Sequence, residues 1–466
     1  MGNGAPIRTF TRDAGVPKGR HRMNEDRTVV YVAMSGVRIY DAELTALGMT
    51  LPGFIERGKV IASLPSLGLL TLAGNAPENW SPVYIEIDAF AEDSAQLILQ
   101  QQPDLVAISS LSARVNDAYK LAAQIKEAGI PVVIGGLHAS AMPEEAEMYA
   151  DVVVVGQGER LWREVLSDFE NGSLKHRYVE SRKPLLENLN QPAYELLNPD
   201  KYNRIPLQTT RGCPLDCQFC GASRLISNYG RKPLAQIEQE LDSITSIWPK
   251  PFIELADDNT FVNKEWGLQL VKLIGKFGAK WFTETDITFA DDDRLLEASA
   301  EAGCAQVLIG FESIDESSLR ETDQRNWKAN QRKRYVEAIE KIQSKGISVN
   351  GCFVFGFDSD RESVFETTAD FVQESGLTEV QVTILTPFPG TRLYKNLRNQ
   401  RRLLKENFWD ECTLFDVTFR PKNMSVAELR AGFRELVGKL YSECASHERK
   451  ARQIGITRNR LQGAKN

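Results

Sequence analysis

The chain of 466 residues is 42% hydrophobic and 26% charged, a composition that fits a globular protein of two or three domains. Its 56 Lys and Arg against 63 Asp and Glu leave a net charge of −7, and the basic residues form no stripe, which argues against a nucleic-acid partner. No apolar run approaches the ~20 residues of a membrane span, so no integral membrane segment is expected.

Residues 1–26 are basic and polar (Arg8, Arg12, Lys18, Arg20, Arg22) and lack the apolar core of a secretory signal, so they read as a disordered leader. Residues 27–170 alternate strand and helix. β-branched runs at 27–35, 82–87, 105–109, 131–135 and 151–155 predict buried strands, and 116–128 has one apolar helical face formed by Ala118, Leu121, Ala122 and Ile125. That alternation predicts a doubly wound parallel sheet, a Rossmann-like domain that binds ligands at the carboxyl ends of its strands. The loops there are Ser109, Ser110, Leu111 and Ser112; Gly135, Gly136, Leu137 and His138; and Gly156, Gly158 and Glu159. Small residues at such positions let the backbone approach a bulky ligand and offer amide and hydroxyl donors. No G-x-G-x-x-G fingerprint opens the first helix, which counts against a dinucleotide.

Residues 171–204, with Pro184, Pro192 and Pro199, read as a linker. Residues 205–390 repeat strand and helix about six times, with strands at 207–210, 252–256, 280–285, 306–312, 348–355 and 379–385. Helices are expected at 234–247, 266–277, 292–302, 333–345 and 363–374. This predicts a partial (β/α)6 barrel of the TIM type, with its chemistry at the carboxyl ends of the strands. Polar groups collect at that level: Asp257, Asp258 and Asn259; Glu284, Thr285 and Asp286; Glu312 and Ser313. Residues 391–466 are helical and charged. Ser425 and Glu428 form a capping box before a helix whose buried face carries Val426, Leu429, Phe433, Leu436, Val437 and Leu440. The aromatic residues Phe408, Trp409, Phe415 and Phe419 read as local core.

The loop after the first barrel strand holds Cys213, Cys217 and Cys220, spaced C-x-x-x-C-x-x-C, with Phe219 before the last thiol and Gly212, Pro214 and Gly221 around them. Thiolates at this spacing suit an iron–sulfur cluster. A structural zinc site wants four closed ligands, and the next cysteine is Cys304 and the nearest upstream histidine His176. A disulfide framework suits a small secreted chain. Seven cysteines, three of them within eight positions, fit one metal site in a reducing compartment, so the expected location is the cytoplasm. Three thiolates leave one iron with an open position.

A cluster loop on the first strand of a six-unit barrel resembles the radical S-adenosylmethionine (SAM) enzymes. The stretches 256–261, 309–313, 355–357 and 386–391 each resemble signatures of that family at strand ends. The resemblance implies a 4Fe-4S cluster on the three cysteines and SAM contacts at Phe219, Asp257, Asp258, Glu284, Glu312 and Ser313. The free iron then holds the amino and carboxylate groups of SAM, and an injected electron cleaves it to methionine and a 5′-deoxyadenosyl radical. Residues 67–70, 103–109, 135–139 and 156–159 resemble the cobalamin-binding domain that precedes the barrel in one large subgroup, which assigns the loops at 109–112, 135–138 and 156–159 to cobalamin. Residues 409–424 resemble the carboxyl-terminal extension of a branch that includes hopanoid methylases. One departure stands out. The Asp-x-His-x-x-Gly motif, which places a histidine below cobalt, is absent from the loop at 35–41, so no histidine of that motif serves as lower ligand.

The resemblance implies a C-methyltransferase on an unactivated carbon of a small molecule or lipid, working through a 5′-deoxyadenosyl radical and methylcobalamin. A flavodoxin or ferredoxin is the implied electron donor. Cyclisation, rearrangement or oxidation with the same equipment is the nearest rival, distinguished by one SAM per turnover in place of two. A non-catalytic iron–sulfur or corrinoid carrier is the rival of another class, and a carrier needs no SAM pocket. Cys304, Cys352 and Cys412 read as small buried apolar residues.

Overall fold

The computed structural model describes residues 8–10, 26–37, 39–46, 64–180, 186–222, 225 and 227–463. The chain forms two compact units, one of residues 1–37, 62–207 and 222–249, the other of residues 38–61, 208–221 and 250–466.

The first unit is built on a seven-stranded sheet in the order Arg8–Phe10, Trp80–Ile87, Arg27–Met34, Leu105–Ser110, Val132–Gly135, Val152–Val155, Arg177–Val179. Every neighbouring pair is parallel except the first. All five predicted strands are present. The two edge strands were not predicted: Arg8–Phe10 falls in the stretch read as a leader, whose other residues up to 25 lie outside the described ones, and Arg177–Val179 falls in the stretch read as a linker. Trp80–Ile87 flanks Arg27–Met34 on one side and Leu105–Ser110 flanks it on the other, so the strand order reverses between Arg27–Met34 and Leu105–Ser110. Ligands of such sheets bind beyond the carboxyl ends at this reversal. Val29, Val30, Tyr31 and Val32 of the central strand are fully buried, and each large apolar side chain so buried stabilises by about 1.5–3 kcal/mol. The Tyr31 hydroxyl accepts a 2.7 Å hydrogen bond from Trp162 Nε1, so the ring is buried with its polar atom paired.

The second sheet runs Glu379–Ile384, Ser348–Phe355, Cys304–Glu312, Lys280–Thr285, Phe252–Leu255, Ile205–Leu207, in sequence order, as a (β/α)6 partial barrel requires. The five strands from Phe252 onward pair in parallel. One face is apolar and buried, with Ile253, Trp281, Val307, Val349 and Val380. On the other, register sets Glu284 beside Leu308, Leu308 beside Asn350, and Cys352 beside Gln381. Solvent reaches Glu284, Leu308 and Cys352 there, so the barrel interior is polar and open at that level.

The predicted capping box forms: Glu428 N–H donates to Ser425 Oγ (3.1 Å) and Ser425 N–H to Glu428 Oε2 (2.6 Å). Helix Val426–Leu440 buries Leu429, Phe433, Leu436, Val437 and Leu440, while Val426 is only half-buried. Phe408, Trp409, Phe415 and Phe419 are buried as local core.

Candidate active site

The cysteine loop is held by the carboxylates that follow the next strand. Asp257, 4% exposed, accepts from Thr209 N (2.7 Å), Thr210 N (2.8 Å) and Thr260 Oγ1 (2.8 Å), and from the Thr209 hydroxyl. Asp258 accepts from Gly212 N at 2.7 Å, so two neighbouring acids fasten the backbone that leads into the three thiols. The structure therefore gives Asp257, predicted as a SAM contact, a positioning place. On the far side of the loop, Gln218 N donates to Thr322 O (2.9 Å), Gln218 Nε2 to Glu321 O (2.6 Å) and Leu393 N to Gln218 O (3.0 Å). Arg392 closes the loop's other edge on the Asp216 carboxylate at 2.5 Å.

Cys213, Cys217 and Cys220 are all half-buried thiols outside any disulfide. A Cys220 N–H to Cys217 O bond of 3.3 Å turns the loop between the last two thiols. Burial pushes the Cys217 thiol up to about 12, with Lys328 pulling the other way. Among the described residues, no three His, Cys, Asp or Glu side chains gather as they would around one ion. Three thiols in one loop suit an iron–sulfur cluster, whereas structural zinc wants four closed ligands. Asn259 Nδ2 lies 3.9 Å from Cys213 Sγ, a weak donor to that sulfur. Phe219 packs edge-on to Phe357, ring centroids 5.9 Å apart.

Around the loop, Ser313 is 3% exposed and accepts from Asp315 N at 3.1 Å. Glu312 Oε1 lies 2.9 Å from Lys328 Nζ, a residue the sequence reading missed because it comes more than a hundred positions after the cysteines. Glu284 opens onto the barrel interior yet lies deep within the protein, where Glu254, Asp258, Glu312 and Asp257 all act on it. Desolvation first, and these acids second, raise its carboxyl from 4.5 to about 8. Cys352 also senses Glu284, Glu312 and Lys328, so all share one space.

This shift has a sign that melting curves test. Between about pH 4.5 and 8 the folded protein keeps a proton on Glu284 that the unfolded chain has lost, so stability from this group is full below 4.5 and is lost as pH rises through 8. Melting of the cluster-free protein is expected to fall more steeply from about pH 6 to 8 in wild type than in Glu284→Gln, with the gap constant above that range. Parallel curves for the two proteins sink this account of Glu284.

In the first unit, the predicted loops meet at the carboxyl ends of the strands. Arg114 Nη1 donates to Ser35 O (2.6 Å), Gly36 O (3.2 Å) and Asp88 O (2.6 Å), tying three strand ends at the reversal. A lone arginine after a strand gave the sequence no signal. His138, 1% exposed, has Ser112 Oγ at 3.0 Å from Nδ1 and Glu145 Oε1 at 3.2 Å from Nε2, so both ring nitrogens are engaged within the fold. Ser140 Oγ donates to Gly136 O (2.7 Å) and accepts from Gly156 N (2.9 Å), which joins the two glycine loops. Ser110 Oγ turns to Leu111 O at 2.8 Å, and Leu111 is 50% exposed. Gly135, Leu137 and Gly158 are half-buried, and Glu159 is 8% exposed. Gly136 has φ of +100°, and a Cβ there would stand 3.1 Å from Ser109 Oγ, so a side chain would fill this bare edge of the sheet. An exposed leucine beside uncovered glycine backbone fits a large, partly apolar ring ligand.

A switch-point sheet with bare strand ends, joined in sequence to a parallel barrel with a three-thiol loop after its first strand, defines an iron–sulfur enzyme that couples a second cofactor domain to a radical SAM barrel. The comparisons agree. Residues 57–166 match the family described as B12 binding domain, 207–372 the Radical SAM superfamily, and 391–466 a domain of unknown function, DUF4070. The chain is 26% identical over 408 residues to bacteriochlorophyllide d C-12(1)-methyltransferase of Chlorobaculum tepidum, covering 85% of this chain and 86% of the relative. It is 25% identical over 365 residues to the hopanoid C-2 methylase of Rhodopseudomonas palustris, covering 75% and 67%. Its fold is similar to the solved radical SAM methyltransferase TsrM of Kitasatospora setae with cobalamin and a 4Fe-4S cluster bound, with a TM-score of 0.65, 15% identity, and 95% and 100% of the two chains covered. The chain thus carries a B12-binding domain followed by a radical SAM domain, which fits a cobalamin radical SAM family and its cofactors, a 4Fe-4S cluster, SAM and cobalamin. Among the described residues no helix is long and apolar enough to cross a membrane.

Proposed function

We propose that this enzyme methylates an unactivated carbon of a small molecule or lipid, with Cys213, Cys217 and Cys220 as the three protein ligands of the cluster. The observation that carries the reading is the cysteine loop itself: three half-buried thiols within eight positions on a backbone fastened from both sides. When bound, the cluster and SAM supply a 5′-deoxyadenosyl radical, and cobalamin supplies the methyl carrier. The chain's own residues bind and aim. Asp257 and Asp258 hold the loop rigid. Glu284, Glu312 and Ser313 line the space beside it and offer acceptors to the ammonium and hydroxyl groups of SAM. The loops at 109–112, 135–138 and 156–159, with exposed Leu111 and the side-chain-free Gly136, would hold cobalamin. A flavodoxin or ferredoxin delivers the electron in the cytoplasm.

The test is anaerobic reconstitution with iron, sulfide and hydroxocobalamin, then desalting and quantification of cobalt. About one cobalt per chain beside an intact cluster, and a fall in cobalt for Gly136→Val, is the expected result. Supplied with labelled SAM, the holoenzyme is expected to consume two SAM per methylated product. A cluster without retained cobalt overturns the methylation reading and leaves a cobalamin-free radical reaction in its place.

A further inference from the structure

The segment after Glu312 returns to the cysteine loop as a strap. Cys217 and Asp323 pair as an isolated antiparallel bridge, and Gln218 bonds Glu321 and Thr322 through both its side chain and its backbone. Asp323, 7% exposed, then accepts from the N–H groups of Arg325 (2.9 Å), Trp327 (3.0 Å) and Lys328 (3.1 Å). One carboxylate thus winds the turn that brings Lys328 back beside Cys217.

Lys328 is 7% exposed, and its ammonium donates to Glu312 Oε1 at 2.9 Å and to the Gly310 carbonyl. Glu312 reaches this position at a cost. It sits at φ +66°, beside a bulge between Gly310 and Glu312, a backbone conformation that strains any residue but glycine. Gly310 leaves the room: a Cβ there would lie 2.4 Å from Glu312 Oε1 and 3.2 Å from Lys328 Nζ. A strained backbone and a bare glycine therefore serve one buried ion pair, and the bridge of Cys217 to Asp323, which holds the Lys328 N–H, sets that pair's segment beside the cysteine loop. The ammonium and the carboxylate carry opposite charges, so they act on a cluster held there with opposite signs. Iron–sulfur potentials are set by net charge, hydrogen bonds to sulfur and exposure, and groups outside the ligand set tune the metal.

We propose that the Lys328–Glu312 pair, carried to Cys217 by the strap at 321–328, sets the reduction potential of the cluster, an inference that rests on the assignment of the three cysteines as its ligands. Lys328 favours the reduced cluster, Glu312 opposes it, and Asp323 positions the lysine.

The test is a dithionite titration of the reconstituted protein without SAM, followed by electron paramagnetic resonance. Lys328→Met is expected to lower the midpoint potential, Glu312→Gln to raise it, and Lys328→Arg to leave it near wild type. Potentials of Lys328→Met and Glu312→Gln that match wild type, or move in the same direction, overturn the proposal. So does a Lys328→Met protein that loses SAM affinity at unchanged potential, which gives the lysine to SAM. If Lys328→Met holds no cluster, Glu312→Gln still decides by its upward shift or the lack of one. Failure of the underlying reading looks different: a Cys217→Ala protein that keeps its cluster removes the ligand assignment, whereas intact clusters with unmoved potentials remove only the role of the pair.

Discussion

Cys217→Ala, reconstituted anaerobically with iron and sulfide, is expected to lack the visible absorbance of a cluster and to form no 5′-deoxyadenosine from SAM above background. The loop itself supplies three thiols, and Cys304 and Cys412 are buried at 1% and 4% exposure, while Cys352 stands on a separate barrel strand. Loss of Cys217 leaves the loop two thiols where a cluster needs three. Cys304→Ala is the matched control: its sulfur points to the Gln306 carbonyl at 3.6 Å, and its loss is expected to leave iron content and SAM cleavage unchanged. Retained 5′-deoxyadenosine in Cys217→Ala would sink the cluster assignment.

The elements visible in the sequence are those whose signal is local. Val29, Val30 and Val32 announce a buried strand because fully buried parallel strands are continuous apolar runs. Ser425 and Glu428 announce a helix start because the two partners of a capping box lie three residues apart. The edge strand Arg177–Val179 has no such run: Arg177 serves surface ion pairs with Glu144 and Glu147, and only Tyr178 is buried, so its composition reads as linker.

The site divides the same way. Three thiols within eight positions carry their spacing in the sequence. The residues that make the loop work do not, because their partners are distant in sequence: Asp257 meets Thr209 across 48 positions, and Gln218 meets Glu321 across 103. His138 shows the converse limit. A histidine in a strand-end loop looks like a ligand contact, yet burial and its bonds to Ser112 and Glu145 commit both its nitrogens to the fold. The sequence shows which residue types are present, while the network decides which of them remain free to act.

Asp257→Ala is expected to destabilise the cluster-free protein by about 2–6 kcal/mol, since the N–H groups of Thr209 and Thr210 lose their acceptor while fully buried and each orphaned donor costs roughly 1–3 kcal/mol. Asp257→Asn keeps the shape. Its amide oxygen accepts from both N–H groups, and its NH2 meets the hydroxyls of Thr209 and Thr260, which rotate to accept, so the loss is expected to be about 1 kcal/mol. Urea unfolding separates the two variants. The strand freed by the alanine leads directly into Gly212 and Cys213, so reconstituted iron is expected to fall with it even where circular dichroism shows a folded protein. The ordering matters: iron should fall in Asp257→Ala and hold in Asp257→Asn, because the acceptor geometry, and not the negative charge, fixes the loop. Equal iron in both, with alanine as stable as wild type, would show that the cysteine loop finds its shape without this anchor and would return Asp257 to the role of a direct ligand contact.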